Sequence, residues 1–172
     1  DPALEAALST LLRIQRIPDP DGIVPPYTRQ RMRDELELFR VWLVEGLVGH
    51  ALTAAEGGMV ERTWVSLIDN ADGQHKVCVH RDYHCRNLLW GPDHVTRVVD
   101  FQDALRGPAL YDLASLLRDC YVRFDEAEVA RWRERYRTLA AEAGLFVEPD
   151  PVANHGAELG GELDDALAID VA

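Results

Sequence analysis

The fold of this chain is decided by one stretch, His80-Arg81-Asp82-Tyr83-His84-Cys85-Arg86-Asn87, together with Asp100-Phe101-Gln102 further along. The stretch places an aspartate five residues before an asparagine, and a short predicted β-hairpin then leads to a second aspartate. Phosphoryl transfer from ATP uses such a set of groups. One carboxylate orients the attacking hydroxyl and takes its proton, while a carboxamide and another carboxylate hold magnesium on the phosphates. The spacing fits H-R-D-x-x-x-x-N followed by a D-F-G-like turn.

The overall composition is that of a soluble globular chain. It has 172 residues, 47% hydrophobic and 28% charged, which suits one domain with its own core. It carries 18 basic and 30 acidic residues, a net charge of −12, so we expect no binding to nucleic acid or to an anionic membrane. Its apolar stretches are shorter than the ~18 residues that a membrane span requires.

The cysteines and the N-terminal residues indicate the cellular compartment of the protein. Cys78, Cys85 and Cys120 are odd in number and lack C-x-x-C spacing, which is typical of reduced thiols in a cytosolic protein. The start, Asp1 to Glu5, has neither a basic residue nor a signal-type apolar segment, and we therefore expect a cytoplasmic protein. Because the chain starts without Met, we expect it to begin inside a longer product or after processing.

The apolar periodicity predicts a mostly helical α+β chain with a small β-hairpin that carries the polar motif. Helices are predicted over 2–16, from Thr28 to 49–50, from Thr53 towards Asp69, over 108–118 and from Asp125 to Ala143. A strand is predicted over 77–79 and a hairpin over 87–90 and 95–99, with turns over 70–75 and 91–93. Apolar and aromatic residues at packing spacing are expected in the core: Phe39, Trp42, Trp64, Leu113 and Tyr121.

Three residues of the motif are candidates for chemistry. Asp82 follows the predicted strand in a loop, where a carboxylate can face an incoming hydroxyl; alone, it would be interpreted as a turn aspartate. Asn87 and Asp100 are oxygen donors that suit Mg²⁺, which is held by one or two protein groups plus phosphates and waters. Taken singly they would be a loop cap and a strand-ending turn. The spacing of all three residues together favours a phosphoryl-transfer site over these separate interpretations.

Four further polar residues surround this motif. His80 is interpreted as a scaffold residue that hydrogen-bonds the Asp100 turn, because zinc requires three or four converging ligands and a strand–loop segment does not supply them. Asp103 is a candidate for tying the backbone amides of the loop. Asp112 is interpreted as a first-turn charge that favours the helix macrodipole. For His84, a phosphate-facing role and packing within the loop both remain open.

The chain resembles the C-terminal lobe of aminoglycoside-phosphotransferase-type kinases and is most similar to the bacterial anomeric kinases for N-acetylmuramate and N-acetylglucosamine. The segments that carry the resemblance are Val79–Leu88, Val99–Ala104, Gly107-Pro108 and Tyr111–Asp119. His84 stands where a protein kinase has lysine, which points to the small-molecule branch. The resemblance implies Asp82 as the catalytic aspartate, Asn87 and Asp100 as magnesium ligands, ATP as donor and a sugar hydroxyl as acceptor.

The resemblance also predicts the domain organisation. Residues 1–153 correspond to the C-terminal lobe, and 154–172 form an acidic tail that no longer resembles the family. Such kinases have an N-terminal lobe whose strand lysine pairs with the α/β-phosphates; Lys76, the only lysine, adjoins the strand of the catalytic loop and cannot be that residue. We therefore expect the N-terminal lobe to be absent here and to pack on this one, and the chain alone to be a poor kinase or inactive.

Two other interpretations compete with the amino-sugar kinase. An aminoglycoside antibiotic is an alternative acceptor, since an acidic chain is compatible with a polycation. A non-catalytic binding remnant would also explain the absent lobe.

Overall fold

A computed structural model of the chain describes residues 1–145. The α-helices are α1 (Pro2–Gln15), α2 (Arg29–Leu38), α3 (Ala54–Gly73), α4 (Tyr111–Leu117) and α5 (Glu126–Glu142). A π-helix, Phe39–Leu47, continues α2, and a 3₁₀ turn, Cys85–Asn87, lies within the motif. The strands are β1 (Lys76–Val79), β2 (Leu88–Trp90), β3 (Thr96–Val98) and β4 (Leu105–Pro108). The predicted α+β class is confirmed, while the predicted tail, 154–172, lies outside the described residues.

The helix starts follow from capping residues that the sequence displays. The Asp1 carboxylate accepts from the N–H of Ala3 at 2.9 Å, with Pro2 in the first turn, and Thr28 caps α2. Thr53 and Glu56 form a reciprocal capping box at α3, as do Asp125 and Glu128 at α5. The predicted turn over 70–75 is wrong in its first part, because α3 continues to Gly73. The polar residues there are only weak helix breakers.

The strands form two antiparallel pairs. β2 and β3 make the predicted hairpin, with Leu88 opposite Val98 and Trp90 opposite Thr96. β1 pairs with β4, Val77 opposite Gly107, and the prediction missed β4 because it is short and ends in Gly-Pro.

The described residues divide into two compact units, and the first contains the motif. It comprises residues 1–26 and the described chain from Gln74 onwards. Its core is formed by α1, α4, α5 and the motif loop, and these side chains are fully buried: Leu8, Leu11, Tyr83, Leu113 and Tyr136. The Tyr83 hydroxyl donates to the Ala7 carbonyl of α1 at 2.7 Å. A buried motif tyrosine therefore fixes the loop to the helical core.

The second unit, Tyr27–Gly73, contains α2, the π-helix and α3. Trp64 is buried, as expected, and its Nε1–H donates to Glu37 at 3.2 Å. The expectation that Trp42 and Phe39 are core residues is wrong, since they are 71% and 51% exposed. The reason is the π-helix, in which Val48 N–H bonds to Leu43 five residues back. This winding removes the 3.6-residue stripe on which the expectation rested.

In the first unit, Tyr121 is likewise exposed rather than in the core. Among residues 1–145, no helix combines the length and the apolar character needed to cross a lipid bilayer.

Candidate active site

Asp82 lies in the loop between β1 and the 3₁₀ turn, with its side chain exposed to solvent. Its backbone carbonyl accepts two hydrogen bonds, from His84 N–H at 3.0 Å and from Asn87 Nδ2–H at 2.9 Å. The loop is thus closed on itself by the asparagine of the motif. The bond from Asn87 holds its side chain close to the backbone of residue 82.

Asn87 and Asp100 lie at the start and the end of the β2–β3 hairpin. Val99 N–H donates to the Asn87 carbonyl at 3.1 Å, so Asn87 stands opposite Val99 and next to the Asp100 turn. Because Asn87 uses Nδ2 for the Asp82 carbonyl, Oδ1 is the atom that it can offer a cation. The Asp100 side chain is exposed, and one of its oxygens accepts from Gln102 Nε2 at 2.8 Å.

His80 connects the motif loop to the Asp100 turn, as predicted. Its Nε2 lies 3.0 Å from the Val99 carbonyl, which can only accept, so Nε2 carries the proton. Burial lowers the pKa of His80 despite this bond and the nearby Asp82 and Asp100 carboxylates. The ring is therefore neutral at pH 7 and serves as a support for the turn.

The backbone at this site is strained at two positions. Arg81 has φ 79° and Asp100 has φ 68°, in the left-handed region that non-glycine residues rarely occupy. Residues held in this way cluster at active sites, where the surrounding contacts compensate the strain. For Arg81 the compensating contact comes from Asp112.

Asp112 is the residue that holds the motif loop in place. Its carboxylate is fully buried and accepts from His80 N–H at 2.7 Å and from Arg81 N–H at 2.9 Å. The expectation that assigned this role to Asp103 is wrong, since Asp103 is exposed. Asp112 does lie in the first turn of α4, as predicted, but that interpretation missed its hydrogen bonds with His80 and Arg81.

Asp119 holds the second half of the motif. One of its carboxylate oxygens accepts from Cys85 N–H at 2.8 Å and the other from Tyr121 N–H at 2.7 Å. The Tyr121 ring in turn meets the His84 ring edge-on, with centroids 5.3 Å apart, and lies 4.8 Å from the Arg86 guanidinium carbon. His84 therefore packs within the loop, while its phosphate-facing role stays a prediction.

The oxygen donors present fit a magnesium ion. Within residues 1–145, no group of three or more His, Cys, Asp or Glu side chains could hold a metal ion by itself. A carboxamide and one carboxylate match the Mg²⁺ preference for one or two protein oxygens, completed by phosphates and water.

We expect Asp119→Ala to lower the free energy of unfolding by about 1–2 kcal/mol, because the half-buried Cys85 N–H loses its acceptor. Urea unfolding measures the change. Asp103→Ala is the matched control and should change stability by less than about 0.5 kcal/mol. Equal losses in both variants would contradict the assignment of the anchoring role to Asp119.

Comparison with known proteins finds one family model and several kinases that are similar to this chain. Residues 1–146 match the phosphotransferase enzyme family. N-acetylmuramate/N-acetylglucosamine kinases of Pseudomonas putida and Neisseria meningitidis are each 39% identical to this chain, over 151 and 145 residues. These matches cover 88% and 82% of the chain but only 44% and 42% of the relatives. The kinase of the same name from Pseudomonas aeruginosa is 36% identical, with 87% and 44% covered. The resemblance noted in the sequence is thereby confirmed, and the chain belongs to the phosphotransferase enzyme family.

Proposed function

We propose that this chain is the catalytic lobe of a kinase that transfers the γ-phosphoryl group of ATP to a hydroxyl of an amino sugar. The observation that carries the proposal is the closed loop of the motif, in which Asp82, Asn87 and the Asp100 turn are linked through backbone and side-chain hydrogen bonds. The family membership and the names of the relatives support it. Because the chain spans less than half of those relatives, the activity is proposed for the whole enzyme, with an N-terminal lobe packed on this one.

In this proposal Asp82 orients the acceptor hydroxyl and accepts its proton. The bond from phosphorus to the β-phosphate oxygen breaks as the bond to the acceptor oxygen forms, and the proton leaves through Asp82. The transition state of such transfers is loose, so the aspartate acts mainly by positioning. Its exposed side chain and its hydrogen-bonded backbone suit a group that must reach a substrate from a fixed point.

Asn87 and Asp100 are the proposed magnesium ligands. Bound Mg²⁺ would neutralise charge on the phosphates. Asn87 Oδ1 and the Asp100 carboxylate are hard oxygen donors. Their residues lie at the start and the end of the β2–β3 hairpin, where Val99 N–H donates to the Asn87 carbonyl. His84 is proposed to face the phosphates from the other end of the loop.

The acceptor is proposed to be an amino sugar of the N-acetylmuramate or N-acetylglucosamine type, because relatives at 36–39% identity carry that name. An aminoglycoside is the second candidate, supported by the excess of 30 acidic over 18 basic residues. Phosphate incorporation into both acceptor classes, measured side by side, distinguishes them. Transfer to aminoglycosides alone would contradict the amino-sugar proposal. We further propose that the enzyme works in the cytoplasm.

We expect Asp100→Ala to weaken the binding of Mg·ATP about 10–100-fold, since even indirect support of a metal is worth that much. Isothermal titration calorimetry measures the binding. Asp103→Ala, which removes an equal charge three residues away, should bind as the wild-type chain does. Binding that survives both Asp100→Ala and the removal of Mg²⁺ would contradict the assigned ligand. The absence of any nucleotide binding in the whole enzyme, with its N-terminal lobe present, would favour a non-catalytic remnant.

A further inference from the structure

The turn that carries Asp100 is held by hydrogen bonds on both sides. Before it, the Val99 carbonyl accepts from His80 Nε2–H at 3.0 Å. After it, Ala104 N–H donates to the Phe101 carbonyl at 3.2 Å. Between these bonds the Asp100 backbone has φ 68°, a conformation that residues other than glycine adopt at few positions. The backbone therefore presents the Asp100 carboxylate from one defined position.

The carboxylate of Asp100 has one side-chain partner. Gln102 Nε2 donates to its Oδ1 at 2.8 Å, and no other side chain of residues 1–145 makes a hydrogen bond with it. Both side chains are exposed, so Asp100 has room for other rotamers when this bond is absent. The hydrogen bond therefore selects one orientation of the carboxylate and occupies one of its two oxygens.

The chemistry of this partner suits a carboxylate that receives a cation. The carboxamide of Gln102 is neutral, so it orients Oδ1 without neutralising the carboxylate, whereas an arginine or a lysine in its place would compete with the cation. In the part of the chain that the structure describes, Oδ2 of Asp100 accepts no hydrogen bond and stays available. Carboxylates that bind metal ions are commonly oriented by hydrogen bonds of this kind.

We propose that Gln102 is a positioning residue that orients the Asp100 carboxylate for the Mg²⁺ of the nucleotide. It acts through Asp100 and does not itself contact the metal. The inference rests on the proposed function, because only that proposal makes Asp100 a magnesium ligand. It adds that Gln102 sets the Mg²⁺ affinity of the site, and that it takes no part in proton transfer to Asp82 or in recognition of the acceptor.

The test measures ATP binding by the whole enzyme, with its N-terminal lobe present, at a series of Mg²⁺ concentrations in isothermal titration calorimetry. Gln102→Met keeps the length of the side chain but removes the donor. We expect it to raise the Mg²⁺ concentration for half-maximal binding about tenfold, the lower end of the range for groups that support a metal ligand. Gln30→Met is the matched control. It removes an equivalent bond, from Gln30 Nε2 to Asp34 at 2.7 Å on α2, and should leave the Mg²⁺ dependence unchanged.

Two further measurements separate positioning from a merely structural role. Excess Mg²⁺ should restore phosphate transfer by Gln102→Met to the wild-type rate, and transfer that stays impaired at every Mg²⁺ concentration overturns the inference. In the Asp100→Ala background, Gln102→Met should have no further effect on the Mg²⁺ dependence, because the effects of residues that act through one another are not additive.

The outcomes distinguish this inference from the proposed function on which it rests. An unchanged Mg²⁺ dependence in Gln102→Met, in an enzyme that Asp100→Ala impairs, overturns the inference alone. A loss of equal size in the wild-type and the Asp100→Ala backgrounds does the same, since Gln102 would then act independently of Asp100. ATP binding that needs no Mg²⁺, or that Asp100→Ala leaves unchanged, overturns the proposed role of Asp100 and this inference with it.

Discussion

Asp112→Ala is expected to lower the free energy of unfolding by about 2–5 kcal/mol, the largest stability loss at this site. The reason is that the buried N–H of His80 and the half-buried N–H of Arg81 lose the carboxylate that accepts from both, and an unsatisfied buried group costs about 1–3 kcal/mol. Removal of a buried charge offsets a part of this loss. Urea unfolding of the wild-type chain, Asp112→Ala and the control Asp103→Ala measures the difference.

Hydrogen exchange separates a loop anchor from a general contributor to the core. If Asp112 acts as an anchor, the amides of residues 80–87 exchange much faster in Asp112→Ala than amides in the middle of α5. Uniform acceleration across the chain would contradict the anchoring role. So would a variant as stable as Asp103→Ala.

The pH dependence of stability gives Asp112 an independent readout. Burial raises its pKa to about 6, although the two amide hydrogen bonds oppose the shift. An unfolded aspartate titrates at about 3.9, so at intermediate pH the folded chain retains a proton that the unfolded chain has released. This group therefore makes the free energy of unfolding fall as the pH rises through that interval.

Asp112→Asn removes that titration while it keeps one acceptor oxygen. The stability of the wild-type chain relative to Asp112→Asn should therefore fall by about 2 kcal/mol between about pH 4.5 and 7. Urea unfolding at both pH values measures it. A difference that grows with pH would mean that folding lowers the pKa of Asp112 rather than raising it.

The parts of the fold that depend on neighbours in sequence could be predicted. Asp1, Thr28, Thr53 and Asp125 each bond to amides within three residues, so the helix starts follow from local chemistry. The hairpin could be predicted from the two strand-like runs, 87–90 and 95–99, on either side of the Gly91-Pro92-Asp93 turn. The family could be predicted because the segments that carry the resemblance, Val79–Leu88, Val99–Ala104, Gly107-Pro108 and Tyr111–Asp119, lie close together in the sequence.

The contacts that hold the loop could not be predicted because they join distant residues. Asp112 acts on an amide 32 residues earlier, and Asp119 on one 34 residues earlier. An aspartate in a first helical turn has a sufficient local explanation, and nothing in the sequence separates it from an anchor. The π-helix at 39–47 was missed for a related reason. Its sequence also suits an α-helix, and only the hydrogen-bond register distinguishes the two.

Asp82→Asn is expected to lower phosphate transfer to the amino sugar by about 10²–10⁴-fold, the range by which a positioned acid or base accelerates reactions. Asparagine can still accept a hydrogen bond from the acceptor hydroxyl, but it cannot take the proton. Incorporation of labelled phosphate from ATP, measured in the whole enzyme with its N-terminal lobe present, detects the loss. Because Asp82 is not a proposed magnesium ligand, the affinity for Mg·ATP should stay within about twofold of the wild-type value.

The comparison of the two aspartates makes this result specific. Asp100→Ala should lose nucleotide binding and transfer together, whereas Asp82→Asn should lose transfer alone. Asp103→Asn, the matched control, should retain both. Transfer by Asp82→Asn within about tenfold of the wild-type rate would show that Asp82 neither orients the acceptor hydroxyl nor takes its proton. Loss of nucleotide binding in Asp82→Asn would instead place this carboxylate on the metal and would reverse the roles proposed for the two ends of the loop.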